Sequence, residues 1–133
     1  IVDLATLTGS CHVALGDFFA GAFGRDEAAM AAVLAAGEQA GERLWRLPMP
    51  KDHRKMIDSD IADMKNIPTG TRHGGHIAAA LLLAEFTGDV PWVHLDIAGP
   101  AWSTAVSGYI RKGGTGFGVR TIVELAKALA SDS

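Results

Sequence analysis

The 133-residue chain carries five histidines, a single cysteine and fifteen acidic residues, the first candidates for chemistry of its own. His73 and His76 stand three apart, a spacing that could offer two imidazoles to one metal ion. The glycines Gly74 and Gly75 between them leave open whether the two share a helix face. No Glu-x-x-His or Cys-x-x-Cys companion accompanies them. His94 lies within an apolar run and reads as a core histidine held by hydrogen bonds. Cys11 stands alone, which excludes an internal disulfide, and no flanking motif marks it as a nucleophile. Asp3, Asp60, Asp63 and Asp96 are candidate acids, yet their spacing pairs none of them. Each reads as a capping or hydrogen-bonding group. Gly113, Gly114, Gly116 and Gly118 precede a helix, as in a phosphate-cradling loop, but the Gly-Lys-Ser/Thr ending is absent. A tight loop with left-handed glycines is the expectation there.

The elements that must position these residues follow from pattern. Pro91–Trp102 reads PWVHLDIAGPAW, with Trp92, Val93, Leu95 and Ile97 forming a short run of large and β-branched residues. Its length and its Pro and Gly-Pro borders predict a strand over Trp92–Ala98. Apolar residues at both parities predict a strand covered on both faces. Small residues after it, Ala98, Gly99 and Ala101, let a ligand approach the strand's carboxyl end, where open α/β sheets bind. Ile1–Leu7 is a second strand candidate, closed by a turn at Thr8, Gly9 and Ser10. Cys11–Gly16 and Phe18–Gly24 read as short buried strands or a tight connection.

Asp26 predicts an N-cap and a helix to about Ala40, with Met30, Val33, Leu34 and Gly37 on one face and Gly41 as its stop. Leu44–Pro48 is extended, Asp52–Ile57 a short helix, and Asn66–Gly75 a loop. A buried helix is expected over His76–Phe86. A final one, Val119–Ala130, should turn Ile122, Val123, Leu125, Ala126 and Leu129 inward. Strands and helices alternate, which predicts a single α/β domain.

Composition narrows the class. Hydrophobic residues make up 48 % and charged residues 20 %, as in ordinary globular proteins. A net charge of −3 offers no basic patch for nucleic acid or anionic membrane. No apolar run is long enough for a transmembrane helix, and a lone cysteine fits a reducing cytoplasm. The chain starts at Ile1 inside a strand-like run, which suggests a piece of something longer. Residue chemistry alone stops at an α/β domain with a small-residue pocket beside two strand ends.

Four stretches in order take the reading further. Asp3–Gly9 (DLATLTG), Ser59–Asp63 with Asn66 and Ile67, Trp92–Gly99 (WVHLDIAG) and the Gly113–Arg120 loop together resemble the leucine aminopeptidase (cytosol aminopeptidase) family. The resemblance covers essentially the whole chain. It implies a three-layer α/β/α architecture with a mixed, largely parallel sheet, this chain being the C-terminal part of the catalytic domain.

The same resemblance implies a metal-dependent aminopeptidase that removes N-terminal residues, leucine preferred, from peptides. Its two divalent ions, Zn, Mn or Mg, would be held by an N-T-D-A-E-G-R-type motif upstream of Ile1. No metal ligand and no catalytic residue is therefore expected in this chain. What carries over is the substrate side. The backbone of Thr6, Leu7 and Gly9 matches the lining of the peptide's N-terminal end. Ala98 matches a wall of the first side-chain pocket, and Ile67 a wall toward the leaving residue. The family also implies a homo-oligomer, a hexamer, together with a peptide partner and no nucleic acid. The loop Pro68–His76 departs from the family's commonest pattern. A non-catalytic or DNA-binding relative of the same fold, and a small-molecule binding module, stay open as alternatives.

Overall fold

A computed structural model describes residues 1–68 and 73–131. The expected α/β class is found. Four strands form a mixed sheet in the order β1-β4-β2-β3: β1 (Val2–Ala5), β2 (Ala20–Gly24), β3 (Leu44–Arg46) and β4 (Val93–Asp96). β4 pairs in parallel with β1 and antiparallel with β2, and β2 pairs in parallel with β3. β4 thus sits between two neighbours, and its residues are buried on both faces. Its alternation sends Val93 and Leu95 to one side and His94 and Asp96 to the other.

The Val93 and Leu95 side is packed by α2 (Glu27–Ala40) and α4 (Val119–Ser131), through Met30, Val33, Ala36 and Leu125. Fully burying a Val, Leu or Met side chain stabilises by about 1.5–3 kcal/mol. α2 begins where its sequence asks: the Asp26 carboxylate accepts the Ala29 amide at 2.7 Å. It ends at Gly41, whose φ of 68° is a left-handed cap that glycine adopts without strain. On the opposite face α3 (Gly75–Ala84) brings Ile77, Ala80 and Leu81 onto Phe23. A 3-10 helix, Lys51–Ile57, packs beside α3. Helices therefore cover both faces of the sheet, making three layers.

Three expectations are corrected. Cys11–Gly16 is not a strand or a tight connection, and Gly9 and Ser10 are not a turn: Gly9–Leu15 forms helix α1, with Thr8 as its extended N-cap. The cause is Thr8, whose hydroxyl caps the helix by accepting the Cys11 amide at 3.1 Å. α4 buries only Leu125 and Thr121, while Val123, Ala126 and Leu129 are exposed and Ile122 half-buried. Its inward stripe is narrower than the apolar pattern predicted, because α2 covers one line of the helix. The Phe18–Gly24 segment is a strand over Ala20–Gly24, and α3 ends before Phe86, which is exposed. Positions 69–72 of the expected Asn66–Gly75 loop lie outside the described residues. In the glycine loop, Gly113, Gly116 and Gly118 take positive φ, as a tight loop requires. Gly113–Gly114 also pairs, as β6, with β5 (Trp102–Ser103), an antiparallel pair outside the main sheet.

Candidate functional site

The β1 and β4 ladder runs in register from Val2 opposite Val93 to Ala5 opposite Asp96. Parallel pairing puts both carboxyl ends on one sheet edge, so the Thr6–Gly9 segment and Ala98 leave the sheet side by side. One last ladder bond, from the Ile97 amide to the Ala5 carbonyl, spans 2.9 Å. Beyond it the Asp96 side chain joins the two segments. Its Oδ1 accepts the amides of Leu7 at 3.2 Å, Thr8 at 3.4 Å and Ala98 at 3.1 Å. Its Oδ2 accepts the Thr8 hydroxyl at 2.6 Å. An acid this deep needs donors around it, and these supply them.

Thr6, Leu7 and Gly9 are exposed, and Ala98 is half-buried. Nothing lies within 4 Å of where a Cβ on Gly9 would stand, so the start of α1 is open to approach. Gly99 is the opposite case. A Cβ there would overlap the Gly16 carbonyl oxygen, so glycine lets the segment after β4 lie against the end of α1. The structure therefore gathers four of the five expected binding positions. Ile67 lies on a separate segment, 70 % exposed, in the stretch that follows the 3-10 helix. That stretch is tied back by the Lys65 amide to the Ile57 carbonyl at 2.8 Å.

A cavity of about 800 Å³ opens next to Ala98, Gly99 and Pro100. Its walls include Phe18 and Trp102, with Tyr109 and Phe117 from the segment leading to α4. Thr6, Leu7, Gly9 and Ile67 are not among its walls. Glu42 lies on it and is 3 % exposed, its carboxylate taking the Thr121 amide and hydroxyl at 2.9 and 2.7 Å.

Behind the strand ends lies a polar core. Asp3 accepts from His94 Nδ1 at 2.6 Å and from the Trp92 indole at 2.6 Å. Partial burial pushes the Asp3 carboxyl up, but the His94 hydrogen bond and charge and the Trp92 hydrogen bond together hold it below its usual value. His94 is thus a core histidine bonded through Nδ1, as expected, although its Nε2 has no protein partner. Burial, with the nearby Asp96 charge, pushes the Cys11 thiol up to about 11. It is not a nucleophile at neutral pH. His73 precedes the Gly74 turn and lies outside α3, so it shares no helix face with His76. Among the described residues no group of three or more His, Cys, Asp or Glu could hold a metal ion.

The role of Asp96 and Thr8 as the pair that knits the site was not read from sequence. The signal was available: a carboxylate ending an apolar strand needs donors, and a threonine three residues before Cys11 is a helix cap.

With this geometry in view, comparison with known proteins places the chain. Residues 1–123 match the cytosol aminopeptidase family, catalytic domain, and the chain belongs to that family. Among curated relatives, a probable cytosol aminopeptidase of Gloeobacter violaceus is 52 % identical over 128 residues, covering 96 % of this chain and 25 % of that protein. One from Aquifex aeolicus is 49 % identical over 134 residues, covering 99 % and 27 %. The chain spans about a quarter of the length of the curated relatives it matches. Among solved structures, the bottromycin maturation enzyme BotP in complex with Mn is similar with a TM-score of 0.90 and 44 % identity, over 97 % of this chain and 28 % of that one. A mutant tomato leucine aminopeptidase gives 0.85 and 45 %, over 94 % and 24 %.

Proposed function

We propose that this chain is the substrate-cradling, C-terminal part of the catalytic domain of a metal-dependent aminopeptidase that releases N-terminal residues, leucine preferred, from peptides. The observation that carries the reading is the Asp96 carboxylate, which binds the Thr6–Gly9 segment and Ala98 into one open edge. On this reading the backbone of Thr6, Leu7 and Gly9 receives the peptide's N-terminal end. Ala98 is the small wall that leaves room for a leucine-sized side chain, and exposed Ile67 faces the residue that leaves. An extended peptide laid along a strand end is held by main-chain hydrogen bonds, here to groups other than the Leu7 and Ala98 amides that Asp96 already takes, and side-chain pockets then choose among peptides.

The described residues offer no group of three or more His, Cys, Asp or Glu able to hold a metal ion, and so do not fit a two-metal centre. The reading assigns two divalent ions, Zn, Mn or Mg, to parts of the parent protein outside this chain. Membership of a family whose curated relatives are named cytosol aminopeptidases supports a cytoplasmic parent. No described helix is long and apolar enough to cross a membrane. The parent is further proposed to be a homo-oligomer, a hexamer, that acts on peptides.

The test pairs two proteins. The parent loaded with Zn²⁺, Mn²⁺ or Mg²⁺ should hydrolyse a leucyl anilide, and a chelator should abolish it. Residues 1–133 alone should do nothing with any of these ions. A metal-loaded parent that cleaves no aminoacyl anilide or peptide would overturn the proposal.

A further inference from the structure

We propose that Asp96 is a positioning residue that sets the leucine preference, by holding the Thr6–Gly9 segment at a fixed distance from Ala98. The inference rests on the substrate-cradle reading above. On that reading the two sides of the cradle, the Thr6–Gly9 backbone and Ala98, follow different strands, and past the Ile97-to-Ala5 bond the carboxylate bridges them. Asp96 is 1 % exposed, so its bonds are shielded from competing water. Both oxygens are used. Oδ1 collects three amides, two from the segment and one from Ala98, and Oδ2 takes the Thr8 hydroxyl at 2.6 Å.

Thr8 extends the coupling. Its hydroxyl donates to Asp96 while accepting the Cys11 amide, so the same atom fixes the segment and starts α1. An asparagine at 96 could keep its carbonyl toward the three amides. Its amide nitrogen would then face the Thr8 oxygen as a donor, and the threonine proton would lose its acceptor. The segment would be loosened, while the sheet below it, fixed by the β1 and β4 ladder, would remain.

The experiment uses the full-length, metal-loaded parent with Asp96→Asn, Thr8→Val, the double variant and Thr8→Ser. Leucyl and alanyl anilides are compared by kcat and KM, alongside circular dichroism and metal content. Asp96→Asn and Thr8→Val should each lower the leucyl-to-alanyl ratio of kcat/KM by about fivefold or more, mainly through a raised KM for the leucyl substrate. The double variant should be no worse than the stronger single one, because both break the same bond. Thr8→Ser, which keeps the hydroxyl, should recover the selectivity lost in Thr8→Val. Metal content should stay at the wild-type level. Thr8→Val leaves the three amide bonds in place, so it reads selectivity even if Asp96→Asn does not fold.

A leucyl-to-alanyl ratio that stays unchanged while kcat or thermal stability falls would overturn the positioning role, since that is the signature of a purely structural residue. Additive losses in the double variant would overturn it as well. A wild-type parent that cleaves neither substrate would instead remove the aminopeptidase reading, and this inference with it.

Discussion

Asp3 and His94 are paired in register across the β1 and β4 ladder, and their side chains meet at 2.6 Å beneath the strand ends. The same carboxylate takes the Trp92 indole proton, so one acid on the outer strand satisfies two buried donors, His94 on the central strand and Trp92 just before it. Removing it would leave both donors unpaired in the interior.

Asp3→Ala should therefore destabilise the parent by about 1–3 kcal/mol, the cost of stranding buried polar groups. Thermal unfolding checks it, with Asp3→Asn as the milder comparison. The pH dependence has a definite sign. Asp3 is held below its usual value in the folded chain, so its contribution is fully present above the unfolded carboxylate range, near 4. It is lost as pH falls through the lower folded value. Asp3→Asn should remove that part of the acid dependence, and an unchanged acid profile would contradict the assignment.

Cys11 should be inert. With its pKa pushed up to about 11, roughly one thiol in a thousand is ionised at pH 8. Its side chain is also packed against Gly21, where an added Cβ would stand 2.7 Å from the sulfur. Iodoacetamide labelling of Cys11, followed by peptide mass mapping, should be about a hundredfold or more slower in the native parent than in denaturant. Comparable rates would mean that α1 is not docked on β2.

Gly99→Ala should be costly although alanine is small. The new methyl has no flexible side chain to displace, only the Gly16 carbonyl, so the turn after α1 or the end of β4 must move. A loss of about 1–3 kcal/mol in thermal unfolding is expected, in the range of an overpacked core. Gly9→Ala, with open space at its Cβ, is the control and should cost far less.

Much of the fold was legible because its signals are local. Asp26 and Gly41 bracket α2 by capping chemistry, and the length and Pro and Gly-Pro borders of the run at Trp92–Ile97 favour a strand over a helix. α1 was missed because its decisive group, the Thr8 hydroxyl, sits in what reads as a turn, and the helix has only seven residues of pattern. The width of α4's buried stripe was overestimated for another reason. Val123 and Leu129 are as apolar as Leu125, and only the placement of α2 decides which is covered. In the candidate site, Thr6, Leu7, Gly9 and Ala98 were named from motif resemblance. The Asp96 bonds that bring them together depend on a parallel register between residues about ninety apart, which no local pattern encodes.

The central claim is that Ala98 is the wall of the pocket for the first side chain, and Ala98→Leu in the full-length, metal-loaded parent tests it most directly. Adding three carbons to that wall should cost about 1–3 kcal/mol when a large side chain must also fit. The kcat/KM for a leucyl anilide should then fall roughly tenfold to a hundredfold, while an alanyl anilide is nearly spared and metal content is unchanged. Equal losses for the two substrates would contradict the account and remove Ala98 from the pocket.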